Sequence, residues 1–256
     1  MTPRWRWLAG SVALLAVLAS CVSGEESHRP PSVRADPVPR SEATRSTPPR
    51  VHLDDGAHGA VSAGDHLMVT ARPSRGGTSL PLATRNPLGQ RLVFQIVGTT
   101  KDERDHLWLQ LLTPERPNGS TGWTRRAGLQ IVHLHHRVEI DLSKFELRHF
   151  RDDKLIDRFN VGIGQDQFPT PKGSFYIWAR VPQPSPTGPY GIYALGISGF
   201  SPVLSDWPGG GRAAIHGTAV ATDPGTKVSH GCIRVFNDDM QMLARLPMGT
   251  PVIIHR

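Results

Sequence analysis

Val138-Glu-Ile-Asp-Leu-Ser-Lys-Phe-Glu-Leu-Arg-His-Phe150 decides the fold class of this 256-residue chain. Apolar and polar residues alternate with a period of two on either side of Ser143-Lys144, the pattern of two half-buried strands joined by a tight turn. A helix would repeat its apolar residues every ~3.6 positions, so a hairpin is predicted. The alternation continues through 154–161 and 173–178, with Pro169-Thr-Pro-Lys-Gly173 as a rigid turn between them. Thr250-Pro-Val-Ile-Ile254 reads as a last strand. One helix is predicted just before it. Asn237 is a good N-cap, Asp238 and Asp239 suit the positive end of the dipole, Met240, Leu243 and Ala244 give an apolar face, and Gly249 closes it. The fold class is therefore mainly β with one or few short helices.

Upstream, residues 51–131 hold further short alternating stretches, Leu67-Met-Val69, Leu92-Val-Phe-Gln-Ile96 and Leu107-Trp-Leu-Gln-Leu111. Turn clusters such as Pro73-Ser-Arg-Gly-Gly77 and Pro117-Asn-Gly-Ser-Thr-Gly122 separate them, the spacing of a small barrel or sandwich. The Trp108 strand followed by Gly122-Trp123 resembles a bacterial SH3-like module. No catalytic constellation lies here, and the segment is expected to serve as a spacer with Trp108 and Trp123 in its core, or to bind cell wall.

Composition supports this reading. Apolar residues make up 38% of the chain and charged ones only 20%, with 26 glycines and 23 prolines, which favours many short strands joined by turns. Two cysteines, Cys21 and Cys232, exclude a disulfide-stapled scaffold and a zinc site of four thiolates. The formal charge of +7 suits anionic surface polymers, lipid head groups or simple solubility, and no nucleic-acid partner is expected.

Residues 1–20 have the layout of an export signal, with Arg4 and Arg6 before an uncharged run from Leu8 to Leu18. That run is too short to span a bilayer, which takes roughly 20 residues. Leu18-Ala-Ser-Cys21 resembles the lipobox of bacterial lipoproteins, which implies a lipidated Cys21 at the mature N-terminus and a membrane-anchored, extracytoplasmic protein facing the cell wall. Two acyl chains suffice for stable anchoring where one does not. Residues 21–50 follow as a tether with six prolines between Pro30 and Pro49, a composition that makes a semi-rigid spacer.

The chemistry is concentrated between His216 and Arg234. Cys232 lies in Ser229-His-Gly-Cys-Ile-Arg234, sixteen residues after His216 in Ile215-His-Gly217. A thiol and an imidazole are the minimal nucleophile and base, because the thiolate is the reactive species and the imidazole can generate it. Cysteine acyl transfer follows. Residues 230 and 232 share a face in a strand, so spacing leaves His216 and His230 both open as the partner. Zinc held by His216, His230 and Cys232 is disfavoured by the absence of a second nearby cysteine and of a His-Glu-x-x-His helix. His133, His135 and His136 fall in the strand between the two segments and are read as solvated positions without a role.

Ile215-His-Gly-Thr218, the Gly225 turn, Ser229-His-Gly-Cys-Ile-Arg234, the Asn237 helix and Gly249-Thr-Pro-Val252 together resemble the catalytic domain of the L,D-transpeptidases, which cross-link bacterial peptidoglycan. The resemblance covers roughly Arg137 to Arg256, within a catalytic domain placed at 132–256, and implies a β-sandwich with short helices. It implies that Cys232 attacks the third residue of a peptidoglycan tetrapeptide stem, releases D-alanine and passes the acyl group to an amine, giving a 3-to-3 cross-link without cofactor or metal. It makes His216 the base, oriented by the Gly217 carbonyl. The N–H groups of His230, Gly231 and Cys232 become the oxyanion hole. Ser229 and Arg234 are read as supporting the catalytic groups from behind or orienting substrate, with a purely structural role as the equal alternative. An L,D-carboxypeptidase with the same site and a non-catalytic wall-binding lipoprotein are the alternatives. Residues 181–211 are expected to form a flap over the site, with Tyr190, Tyr193, Phe200 and Trp207 as candidates for packing on the stem.

Overall fold

The computed structural model describes residues 57–74, 77–206 and 209–256. The signal, the whole tether with Cys21, residues 51–56 and Trp207 lie outside these described residues. The first sheet has seven strands, β1 (His58–Ser62), β2 (His66–Thr70), β3 (Ser79–Ala83), β4 (Phe94–Lys101), β5 (Leu107–Leu112), β6 (Thr121–Arg125) and β7 (Leu129–His133). They lie in the order β3-β2-β6-β5-β4-β1-β7, every neighbouring pair antiparallel. Strands such as His58-Gly-Ala-Val-Ser62 and Ser79-Leu-Pro-Leu-Ala83 carry too few large apolar residues to show an alternation, so only the ladder reveals them.

The second sheet begins with β8 (His136–Asp141), β9 (Glu146–Arg151) and β10 (Lys154–Asn160). A short β11 (Ile163–Gly164) leads to β12 (Gly173–Pro182), β13 (Tyr193–Phe200) and β14 (Arg212–Thr218). Then come β15 (Lys227–Ser229), β16 (Ile233–Phe236), helix α1 (Asn237–Leu243) and β17 (Pro251–His255). Eight strands are ordered β10-β9-β8-β17-β12-β13-β14-β16, with the β8–β17 and β14–β16 pairs parallel. β11 and β15 pair separately.

Two local expectations are corrected. The β8–β9 turn occupies Leu142 to Phe145, two residues longer than Ser143-Lys144. Asp141 causes this: its Oδ1 accepts from the Ser143 N–H at 3.0 Å, the Ser143 hydroxyl at 2.6 Å and the Lys144 N–H at 3.2 Å. A carboxylate that bonds its own downstream backbone stabilises a turn in preference to a strand. Helix α1 is preceded by Phe236 without a side-chain cap, and Asn237 is its first helical residue. The Asn237 amide instead reaches across to another loop.

β12 explains how the two sheets join. Phe175 and Ile177 enter the core of the second sheet with Ile197, Ile215, Ile233 and Leu243. Tyr176 enters the core of the first sheet, its ring 6.5 Å from Phe94, and Trp178 packs against the same cluster. One strand thus feeds two cores from its two faces, which is why its central run, 175–179, is apolar without alternation. Its far side is finished by polar side chains of the first segment. Asn86 Nδ2 donates to Trp178 O at 2.9 Å, and Gln90 both donates to Arg180 O at 2.7 Å and accepts from Arg180 N–H at 3.0 Å. The expected flap of 181–211 is also divided: β13 runs through its middle as an interior strand, leaving two shorter loops, 183–192 and 201–211.

Candidate active site

β14 and β16 run parallel with Ile215 beside Ile233 and His216 beside Arg234. Ile215 and Ile233 point into the core, fully buried, and this fixes the opposite face of both strands. His216 is on that face and only 2% exposed. Its Nδ1 lies 2.9 Å from Gly217 O. A carbonyl can only accept, so Nδ1 carries the proton and Nε2 keeps its lone pair. Burial lowers the imidazole pKa from 6.5 to about 4, with the Arg234 charge adding to the effect and the Gly217 carbonyl and Asp223 opposing it. At neutral pH the ring is an uncharged base of defined tautomer.

Cys232 closes the turn that enters β16. Burial pushes its thiol up, while the Ala214 N–H and the Arg234 guanidinium pull it back toward the thiolate. Ala214 and His216 are two apart on β14 and share a face, about 7 Å along the strand. Thiol and imidazole line one cavity of ≈ 460 Å³ with Tyr190, His230 and Arg234. Both groups rest neutral. The arrangement can therefore transfer a proton at the moment of attack, whereas a standing thiolate–imidazolium pair would require the opposite shifts.

The Ser229-His-Gly-Cys232 turn is held by its own serine. The Ser229 hydroxyl donates to Cys232 O at 2.6 Å and accepts from Gly231 N–H at 3.0 Å. Ser229 is 1% exposed, and its donor is spent within the loop, where it shapes the turn. The Gly231 N–H, expected in the oxyanion hole, is likewise engaged. Gly231 sits at φ +112°, a conformation open in practice to glycine, with the Pro169 carbonyl 3.4 Å from where a Cβ would stand. His230 is exposed, and its ring lies 4.6 Å from that of Phe168. The two histidines left open by spacing thus occupy different environments, one buried on β14 and the other exposed on the turn.

Other residues complete the site. Asn237 Oδ1 accepts from Ile192 N–H at 3.0 Å and its Nδ2 donates to Pro186 O at 2.9 Å, tying the 183–192 loop to the start of α1. A Cβ on Gly217 would lie 2.3 Å from that Oδ1, so glycine is needed for the approach. The pinned loop places Tyr190 edge-on to His216, ring centroids 5.1 Å apart. Arg234 donates to Asp223 Oδ2 at 3.0 Å, and the same carboxylate accepts from Thr218 at 2.7 Å. Asp223 was missed in the sequence because Thr-Asp-Pro-Gly reads as a turn, and the bridging by Asn237 was missed because an N-cap asparagine looks the same. Tyr193 is half-buried beside the core, and Phe200 is held under the Arg116 and Arg212 guanidinium groups, 4.6 and 4.2 Å from its ring. His216, His230 and Cys232 do not bring three ligand atoms within 4.8 Å of one another; among the described residues, His133, His135 and Asp152 do.

Residues 135–254 match the family model of the L,D-transpeptidase catalytic domain, YkuD. The "Putative L,D-transpeptidase YkuD" of Bacillus licheniformis is 35% identical over 120 residues, 46% of this chain and 65% of that one. Its Bacillus subtilis namesake is 35% identical over 122 residues, 47% of this chain and 66% of that one. The chain thus spans slightly less than two thirds of the length of these relatives. The solved catalytic domain of an L,D-transpeptidase from E. faecium is 23% identical, covered over 98% of its length and 48% of this chain, with a TM-score of 0.37.

Proposed function

We propose that the protein, whose residues 135–254 match the L,D-transpeptidase catalytic-domain family model, acylates Cys232 with a peptidoglycan tetrapeptide stem. The supporting observation is the buried, neutral His216, with Nδ1–H fixed on Gly217 O, in one cavity with the Cys232 thiol. The thiol gives its proton to His216 Nε2 as sulfur attacks the carbonyl of the third stem residue. The C–S bond forms, the bond to the terminal D-alanine breaks, and His216 returns the proton to the departing amine. The side-chain amine of a second stem then attacks the thioester, which regenerates the thiol and leaves a 3-to-3 cross-link.

Oxyanion donors are drawn from the backbone of His230, Gly231 and Cys232, with Gly231 releasing the Ser229 hydroxyl as charge develops on the substrate. Arg234 acts through its charge on both Cys232 and His216 and is held in place by Asp223. Tyr190 covers the imidazole and excludes water from it. Acylated Cys21, outside the described residues, anchors the protein on the outer side of the membrane, with 21–50 as tether and 51–131 as an SH3-like spacer. Incubating the mature protein with tetrapeptide muropeptides tests the reading: cross-linked dimers support it, tripeptide monomers alone make the enzyme an L,D-carboxypeptidase, and unchanged substrate refutes catalysis.

A further inference from the structure

Five of the chain's 12 histidines gather where the first sheet passes into the second, far from the catalytic cavity. They divide into two sets by strand parity. His136 and His149 are stacked, with Nδ1 of the former 2.9 Å from Nε2 of the latter, and His149 is in turn bonded to Asp157 at 2.8 Å. His133 and His135 are two residues apart and turn the other way, toward solvent. Their rings lie 4.5 Å apart, and His58, the cross-strand partner of His133, lies 5.2 Å from it.

We propose that His133, His135 and Asp152 form a surface site for a divalent transition-metal ion of the zinc, nickel or copper class, with His58 as fourth ligand. The three principal ligand atoms already lie within 4.8 Å of one another. A tetrahedral ion with bonds of about 2.1 Å sets its ligands roughly 3.4 Å apart, within reach of small side-chain rotations. The backbone is held ready for this. The Asp152 N–H donates to His135 O at 2.8 Å, so the β9–β10 turn is fixed to the connector that carries His135. Asp152 Oδ1 faces His135 at 2.6 Å. Imidazole nitrogens and one carboxylate select borderline transition ions over magnesium and calcium, which take oxygen ligands.

The ion would be a clip. His58 and His133 belong to the first sheet and Asp152 to the second, so one metal ties the two across the Leu134-His135 connector. Four strand steps, from β8 to β14, separate this place from His216, roughly 19 Å at the usual strand spacing.

The test uses the full chain with Cys21→Ser and Cys232→Ala, which removes both thiols as competing ligands. Zinc alone is titrated into chelator-stripped protein by calorimetry, and the melting temperature is followed with and without it. One equivalent is expected to bind and to raise the melting temperature, with magnesium doing neither. His133→Ala and His135→Ala should each weaken binding by at least about tenfold, Asp152→Asn and His58→Ala less, and His230→Ala not at all. Absence of saturable zinc binding overturns the proposal, as does binding of equal strength in His133→Ala and His135→Ala. Because this background lacks the nucleophile, neither result bears on the acyl-transfer reading.

Discussion

Two histidine clusters in this molecule are built from the same side chains and face opposite tasks. His216 is 2% exposed, its one N–H spent on the adjacent carbonyl, its charge suppressed by burial. His133 and His135 are exposed and converge with a carboxylate. The first environment makes an imidazole a neutral proton acceptor with one usable nitrogen. The second turns imidazole nitrogens and a carboxylate toward one point, a donor set suited to a borderline cation. What separates the proposed base from the proposed ligands is where the strands carry the ring, since the residue type is common to both.

The largest expected effect tests the catalytic side of this comparison. Cys232→Ala should abolish acylation, read by mass spectrometry as the adduct with a strained acyl donor such as a carbapenem, while His135→Ala should acylate at the wild-type rate. Adduct formation on folded Cys232→Ala would remove the mechanism. Next, His216→Ala should slow acylation by about two to four orders of magnitude, the range for a positioned base. His230→Ala should lose less than about tenfold, because alanine keeps the backbone N–H. If His230→Ala proves the slower of the two, the assignment of buried base and surface residue is reversed.

Acid should distinguish the clusters through stability. An unfolded His216 takes up its proton near pH 6.5, whereas the folded one resists to about pH 4. Below 6.5 the unfolded chain therefore binds more protons, so stability is full above that pH and falls as pH drops, by roughly 3 kcal/mol at pH 4. Denaturant midpoints from pH 7 to 4 should fall less steeply in His216→Gln; equal slopes would show that burial of this ring is not the cause.

The smallest effect concerns the glycine under the base. Gly217→Ala sets a methyl 2.3 Å from Asn237 Oδ1 and 3.2 Å from Ile192 N. A cost of about 1–3 kcal/mol is expected, with loosening of the Tyr190 loop. Asn237→Gly should relieve part of that cost in the double variant, since the clashing atom is gone; strict additivity in thermal melts would mean that the two do not share the strain.

The sequence alone determined the β class, the hairpin at 138–150 and the final strand, and singled out Cys232 and His216 as candidates, because each rests on local alternation or on a motif contiguous in the chain. It misjudged the turn after Asp141 and the cap at Asn237, where one polar side chain has two possible partners and only the fold supplies the nearer. It took 181–211 for a flap because β13, buried on both faces and rich in glycine and serine, shows no polar–apolar alternation. The difference in burial between His216 and His230 belonged to tertiary structure: which imidazole is stripped of water depends on the strands packed around it. So did the gathering of His58, His133, His135 and Asp152, which are nearly a hundred residues apart at the extremes and meet because β1 pairs with β7 and the β9–β10 turn bonds to the connector.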